Sequence, residues 1–276
     1  MDDKIIATYC LCDDLLRALR HRDDPQCQMT DAEVLTTALV AALCLRGNLE
    51  SARMLLKQYG YMPRMLSKSR FHRRLHRCKD RLLLLFHVLG ELWKALNQAL
   101  MYVIASFPLA ACDNIRIRRE KRLQHASYRG YIASKRRYFY GLKLHLMITK
   151  DGQPIEFFLT PGSFSDVEAL HYFTFDLPAQ AQVHMDKASN NYAMEDLLHE
   201  AAHIRLLPLR KKHAKRVFPP YVTFMQHYYR KKIETVGSLI ERMRPKSIHA
   251  VTAEGLALKV VLFVVAYSLS CCFKDL

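Results

Sequence analysis

Two acidic residues carry the first sign of chemistry. Asp186 stands in Met185-Asp186-Lys187, directly after the β-rich run Ala181 to Met185, at a strand terminus of the kind that opens into a site loop. Glu234 stands in Arg230-Lys231-Lys232-Ile233-Glu234-Thr235, and Arg230 and Glu234, four apart, share one helical face. Taken singly, Asp186 reads as a turn cap and Glu234 as half of a helical ion pair. Together, beside dense positive charge, they fit phosphodiester chemistry. Cleavage and strand transfer need an activated nucleophile, a stabilised pentacovalent phosphorus and a neutralised leaving oxygen. Two Mg²⁺ (or Mn²⁺) ions about 4 Å apart supply all three. Such ions take carboxylate and water oxygens, so several Asp or Glu must converge. His145, His171, His184 and His249 are candidate ligands or bases by type, but this chemistry needs no histidine base, and His145 is expected to pack or hydrogen-bond in its strand.

A second constellation is basic. Arg70, Arg73, Arg74, Arg77 and Arg81 recur at i, i+3, i+4, i+7 and i+11, while Phe71, Leu75, Cys78 and Leu82 form a separate apolar face. A helix from Ser67 or Ser69 to about Ala99 follows, preceded by a short helix, Leu49 to Gln58, and a break at Gly60 and Pro63. This resembles a helix-turn-helix whose second helix meets DNA. A solvated charged face is the plainer reading, but five arginines without mixed charge favour DNA.

Bulk charge agrees. The chain has 276 residues with 42 Lys and Arg against 26 Asp and Glu, a formal net charge of +16. Such an excess favours a polyanionic partner. The basic residues cluster: Arg64 to Arg81 holds eight, Arg116 to Lys143 ten, and Arg205 to Lys232 nine. Three clusters suit a partner that runs across the molecule, as a duplex does. None of the eight cysteines forms a C-x-x-C pair, so they read as reduced core residues of a cytoplasmic protein. The acidic start lacks a signal-peptide pattern. The apolar run Val260 to Phe273 falls short of the ~20 residues a bilayer requires, so a buried terminal helix and no membrane contact are expected.

The elements that must position these residues follow from periodicity. Residues 1–99 read as helical, with a capping box at Thr30-Asp31-Ala32-Glu33 and a stop at Gly47-Asn48. From Met101 the period turns strand-like. Strands are expected at Tyr102 to Leu109 (ending near Cys112), Tyr138 to Ile148, Pro154 to Leu159, Ala181 to Met185 and Ile204 to Leu209. Lys150-Asp151-Gly152 is a hairpin turn. Helices are expected from Ser165 or Asp166 to Phe175, Asn191 to Ala202, Gln226 to Met243 and Gly255 to Cys272. Asn114 to Arg137 is too long and basic for a hairpin loop and reads as a DNA-contacting insertion without order of its own, or as a solvated loop. Trp93 and the run Tyr138 to Tyr140 read as core.

The order β-β-β-α-β-α-β-α is that of an α/β ribonuclease-H-like fold: a mixed five-stranded sheet flanked by helices. An all-helical DNA-binding domain with helix-turn-helix character, residues 1–99, precedes a catalytic domain, residues 100–276, that includes the C-terminal helix. In such a fold the carboxylates come from the first strand, the end of the fourth and the helix after the fifth. Asp186 and Glu234 fill the last two places. In the first, Tyr102-Val103-Ile104-Ala105-Ser106-Phe107-Pro108 puts Ala105 mid-strand, and Ala ligates no metal.

From about Tyr102 to Phe273 the chain resembles the transposases of bacterial insertion-sequence family 982. The matching stretches are Ser106-Phe107-Pro108 with Cys112, Asn114 and Arg116, the run Tyr138 to His145, and Leu159-Thr160-Pro161-Gly162 with Asp166. Asp186-Lys187, Ile233-Glu234-Thr235 and Ile248-His249-Ala250 complete the set, and Ser69 to Leu75 resembles the family's N-terminal domain. The resemblance implies a DDE transposase whose triad falls on position 105, Asp186 and Glu234. It implies two Mg²⁺ or Mn²⁺ per site, double-stranded DNA (terminal inverted repeats and target) as partner, a homodimer on DNA, and a bacterial, nucleoid-associated setting. The family has Asp before Ser-Phe-Pro, where Ala105 stands here, and more often Gly where Ala188 stands. One ligand lost from an otherwise intact pattern reads as an inactivating substitution. Lys143, on the strand with His145, and Arg230 are expected to meet phosphates. Two other readings remain: a domesticated DNA-binding protein without catalysis, and a ribonuclease-H-like nuclease or resolvase.

Overall fold

The computed structural model describes residues 1–112, 117–118, 120–132, 136–210, 212–245 and 250–273. The chain divides into two compact units, Met1–Leu89 with Leu239–Leu276, and Gly90–Ser238. This differs from a division at residue 99. The helix that runs through 89 and 90 has no break in its pattern, and the C-terminal segment belongs to the first unit.

The first unit is helical. It contains α1 (Asp2–Ala18), α2 (Asp31–Cys44), α3 (Leu49–Gln58), α4 (Lys68–Arg77) and the start of α5 (Lys79–Leu96). The capping box forms as expected: the Thr30 hydroxyl accepts the Glu33 N–H, and the Glu33 carboxylate accepts the Thr30 N–H at 2.7 Å. One helix from Ser67 to Ala99 was expected, but two are present. The Cys78 N–H is shared between the carbonyls of Arg74 and Leu75, which tightens the backbone by a residue. Phe71, Leu75, Cys78 and Leu82 are all buried across this break, so the side-chain spacing reads straight through it.

The last helix, α9 (Ala253–Cys272), packs against α2. It is long and apolar enough to cross a membrane by length and composition, longer than the run read from sequence, and 67% of its apolar window is buried. That burial fits a core helix.

The second unit is built on a sheet. Its strands are β1 (Met101–Cys112), β2 (Arg129–Ile132), β3 (Arg137–Thr149), β4 (Pro154–Pro161), β5 (Gln182–Met185) and β6 (Arg205–Pro208). The helices are α6 (Asp166–Ala169), α7 (Tyr192–Ala202) and α8 (Pro220–Met243), which continues into the first unit. The helix expected to reach Phe175 is only α6 followed by a 3₁₀ turn, Leu170–Tyr172. β1 lies antiparallel to β3 and parallel to β5, β5 is parallel to β6, and β4 is antiparallel to β3. The β3–β4 turn needs Gly152 at φ 94, a backbone state closed to most L-residues.

The sheet has six strands, not five. The extra one, β2, falls in the basic stretch expected to lack order. It pairs with the start of β3, Arg129 opposite Tyr140 and Ile132 opposite Arg137. Four residues with one apolar neighbour in pattern are too few to register as a strand.

Candidate active site

Three elements of the second unit converge on one pocket of about 210 Å³. β1 contributes Ala105. In the parallel pairing with β5, Met101 is level with Gln182 and Val103 with His184. The same offset brings Ala105 level with Asp186, the residue that follows β5. Phe107 fixes which way this face of β1 looks. A Cβ on Gly237 of α8 would lie 2.2 Å from the Phe107 ring, so helix and strand touch there. Ala105, two residues before Phe107, is on the same face. Glu234 is one turn before Gly237.

α8 is held by a second device. The buried Gln226 amide donates to the carbonyls of Leu207 (3.0 Å) and Pro208 (3.2 Å) at the end of β6. One turn on, Arg230 enters the pocket. Its Nη1 lies 2.7 Å from Asp186 Oδ1 and its Nε lies 3.0 Å from Glu234 Oε1. One guanidinium therefore holds both carboxylates. Asp186 also caps its own loop, accepting the Lys187 N–H at 2.6 Å. The hydrogen bond that Arg230 donates to Glu234 and the charges of both acids raise the Arg230 pKa above its ordinary value.

A third carboxylate lines the same pocket. Asp166 Oδ1 accepts from the Ser106 hydroxyl at 2.8 Å and pairs with Lys143 at 3.3 Å, and Lys143 also donates to the Phe164 carbonyl at 2.6 Å. Lys143 and Arg230, read from sequence as phosphate contacts, are thus both engaged by carboxylates. The sequence showed Asp166 as a helix-starting residue, and only the β1–β3 pairing brings Ser106 and Lys143 to it.

Two buried histidines complete the lining. Burial pushes His145 down to about 4. It bonds Thr160 Oγ1 at 2.9 Å and stacks on Phe158 at 4.8 Å, as packing was expected to place it. Burial also pushes His184 down to about 4, and its ring tilts against Tyr229 at 4.9 Å. Neither His184 nitrogen has a hydrogen-bond partner among the described residues. Both rings are neutral near pH 7. His171 is exposed in its 3₁₀ turn. Asp113, Asn114, Arg116, Ile248 and His249 lie outside the described residues.

The arginine stripe belongs to the first unit, and the structure divides it. Arg74 Nε lies 2.6 Å from Asp31 Oδ1 and its Nη2 2.9 Å from Asp23 Oδ1, while Arg81 Nη1 lies 2.9 Å from Asp31 Oδ2. Asp31 is 2% exposed. Burial pushes its carboxyl up, but hydrogen bonds from Cys78 and Arg74 and the charges of Arg74 and Arg81 outweigh burial and leave it below its ordinary value. These two arginines neutralise a buried acid. Asp31, Asp23 and His21 have metal-ligand spacing, yet the two guanidinium groups already match their charge. Arg70, Arg73 and Arg77 are exposed and have no acidic partner among the described residues. They line a shallow concavity with Arg74, Cys27 and Met29.

The chain thus has a mixed α/β unit with carboxylates gathered at the carboxyl end of its parallel strands, and a separate helical unit with exposed arginines. Residues 96–248 match the sequence model of the transposase DDE domain, and the chain belongs to that family. The matched span includes Ala105, Asp186 and Glu234. No curated protein and no solved structure gives a match. Membership makes the chain a transposase by class, with DNA the partner its class implies.

Proposed function

We propose that this chain is an insertion-sequence transposase of family 982, with a ribonuclease-H-like core and a cleavage site at position 105, Asp186 and Glu234, impaired by Ala105. The observation that carries the reading is Arg230, one cation shared by Asp186 and Glu234 in the pocket that Ala105 lines. Two carboxylates drawn to one positive charge offer the oxygen donors a divalent ion takes, so the residues present fit Mg²⁺ or Mn²⁺ at that point. Ala105 leaves the strand side without a donor. When bound, two such ions activate the attacking oxygen and neutralise the leaving one.

The chain's own residues do the positioning. Gln226 and the Phe107–Gly237 contact hold α8 so that Arg230 reaches Asp186 while it holds Glu234. Arg230 keeps the two acids together, and Ser106 and Lys143 hold Asp166 at the rim. Exposed Arg70, Arg73 and Arg77 on α4 carry sequence-end binding. Joining two DNA ends implies a homodimer on terminal inverted repeats. Ala105 also supports a second reading, a DNA-binding protein that has given up catalysis.

The test is cleavage. The parent chain and Ala105→Asp are incubated with labelled DNA from the chain's own genomic flanks and Mg²⁺ or Mn²⁺. Both should bind, and Ala105→Asp alone should cut at the element boundary, orders of magnitude faster than the parent. Equal cutting by the parent would assign the third ligand elsewhere, with Asp113 or Asp166 next in line. Binding without cutting by Ala105→Asp would favour the non-catalytic reading.

A further inference from the structure

We propose that the ribbon formed by β2 and the start of β3 carries a stacking site for an unpaired nucleobase, with Tyr131 as its platform and Arg129 beside it. This rests on the reading that the chain acts on DNA. Tyr131 and Tyr138 are directly opposed across the two strands, their ring centroids 4.9 Å apart. They are 53% and 51% exposed. Tyr138 was expected in the core with Phe139 and Tyr140, but strand alternation turns it outward while Phe139 is buried. The Arg129 guanidinium carbon lies 4.7 Å over the Tyr138 ring.

Other residues already fix the ribbon. The Phe139 ring fills the space over Gly130 and beside Gly162, where a Cβ on Gly130 would meet it at 2.3 Å. The Tyr140 hydroxyl donates to the carbonyls of Leu123 (2.9 Å) and His125 (3.2 Å). Holding the ribbon in place therefore does not require the outer tyrosines. The Tyr131 ring, left half in water, offers a π face that a partner can cover.

Charge selects that partner. From Lys121 to Lys150 the chain has eight Lys or Arg and no Asp or Glu. Arg129, Arg136 and Arg137 are exposed around the pair. Aromatic faces set among arginines suit a nucleic-acid strand: the rings take a base and the arginines its phosphates. Bases within a duplex offer only their edges, whereas a ring stacks on a base face. The fitting ligand is thus a DNA strand with a base out of the helix, as occurs where strands part for cleavage or joining.

The full chain is titrated with a short blunt duplex and with the same duplex carrying a single-stranded tail that contains one 2-aminopurine. Tighter binding of the tailed DNA, with quenching of the probe, is expected. Tyr131→Ala should lose about tenfold in affinity for the tailed DNA and abolish the quench, leave blunt-duplex binding unchanged, and melt like the parent. Tyr131→Trp should keep both effects. If Tyr131→Ala melts early, Tyr131→Leu, which keeps bulk without a π face, takes its place. Equal binding of both DNAs by the parent, or a tail preference indifferent to Tyr131, overturns the stacking site and leaves the DNA reading standing. A tail preference without quenching also overturns it. Failure to bind either DNA at low salt removes the DNA reading itself, and the stacking site with it.

Discussion

Arg230 reaches Asp186 at 2.7 Å, an ion pair between residues 44 apart in sequence that closes the pocket from the α8 side. Because the same guanidinium holds Glu234, it occupies the place where a cation is wanted. Arg230→Gln should therefore bind Mn²⁺ more tightly than the parent without DNA, by up to about fivefold, the scale of a half-exposed ion pair. Calorimetric titration reads this directly. Equal or weaker binding by Arg230→Gln would mean that Arg230 organises the two carboxylates and does not compete for their charge.

The arginine stripe should split into two functions. Arg73→Ala with Arg77→Ala should lower DNA affinity and reduce the salt dependence by about one unit of slope per lost phosphate contact. Stability should change by less than about 0.5 kcal/mol for each exposed site. Arg74→Ala strips a partner from buried Asp31 and should cost about 2–3 kcal/mol, with Arg81 and Cys78 still in place. Chemical denaturation and salt-dependent binding separate the two. An Arg74→Ala protein as stable as the parent would deny the Asp31 assignment.

Much of this was legible in the sequence, and the failures share a cause. The strands from Met101 onward, the Asp151-Gly152 turn and the Thr30–Glu33 capping box are local, written in period and turn chemistry over a few residues. Asp186 and Glu234 were singled out through the elements that carry them, and Arg230 links the two. The partners of Arg74 and Arg81 were not, because Asp31 sits some 43 residues before Arg74, and a stripe looks the same from outside whether or not an acid lies beneath it. Asp166 was visible as a helix start and in a stretch that resembles the family, but its partners were not, since they depend on Ser106 and Lys143 lying diagonally across β1 and β3. β2 is too short to carry a period, and the shared hydrogen bond at Cys78 leaves the apolar spacing untouched. The placement of α9 with the first unit is a choice of neighbour, on which hydrophobicity is silent.

Gly237 should be intolerant of even a methyl group. Alanine ordinarily gains about 1 kcal/mol over glycine inside a helix. Here the added Cβ would sit 2.2 Å from the Phe107 ring. Gly237→Ala should instead lose about 1–3 kcal/mol by overpacking. Adding Phe107→Leu should recover part of that loss, a coupling measurable by a double-mutant cycle on urea midpoints. Additive effects would show that the ring moves aside freely.

His145 should make stability depend on pH. Its folded value is pushed down to about 4, against about 6.5 for an ordinary histidine. The unfolded chain then binds the extra proton across that interval, so stability rises with pH there. The contribution is complete above about 6.5 and is lost as pH falls toward 4, with a ceiling of about 3 kcal/mol. Asp166 and Lys143 exert opposing charges on the ring, and burial dominates both. His145→Gln, which keeps a donor for Thr160, should flatten the slope of unfolding free energy between pH 4 and 6.5. An unchanged slope would assign the acid sensitivity to other groups.

Ala105→Asp gives a test that needs neither the DNA ends nor turnover. The pocket already holds Asp166, Asp186 and Glu234 against Lys143 and Arg230. A further carboxylate at 105 adds negative charge beyond what Lys143 and Arg230 match among the described residues. Without metal, Ala105→Asp should be less stable than the parent by about 1–2 kcal/mol, the cost of a like charge in a half-enclosed site. Mg²⁺ or Mn²⁺ should reverse this, because an ion that binds only the folded state stabilises it by about 2.7 kcal/mol at one hundred times its Kd. The parent, with a weaker ligand set, should gain less over the same titration. Thermal melts of both proteins across a metal series, with NaCl adjusted to hold ionic strength, distinguish specific binding from screening. If the two gain equally, position 105 faces away from the ion, and the resemblance of β1 to a catalytic strand would be one of sequence without geometry.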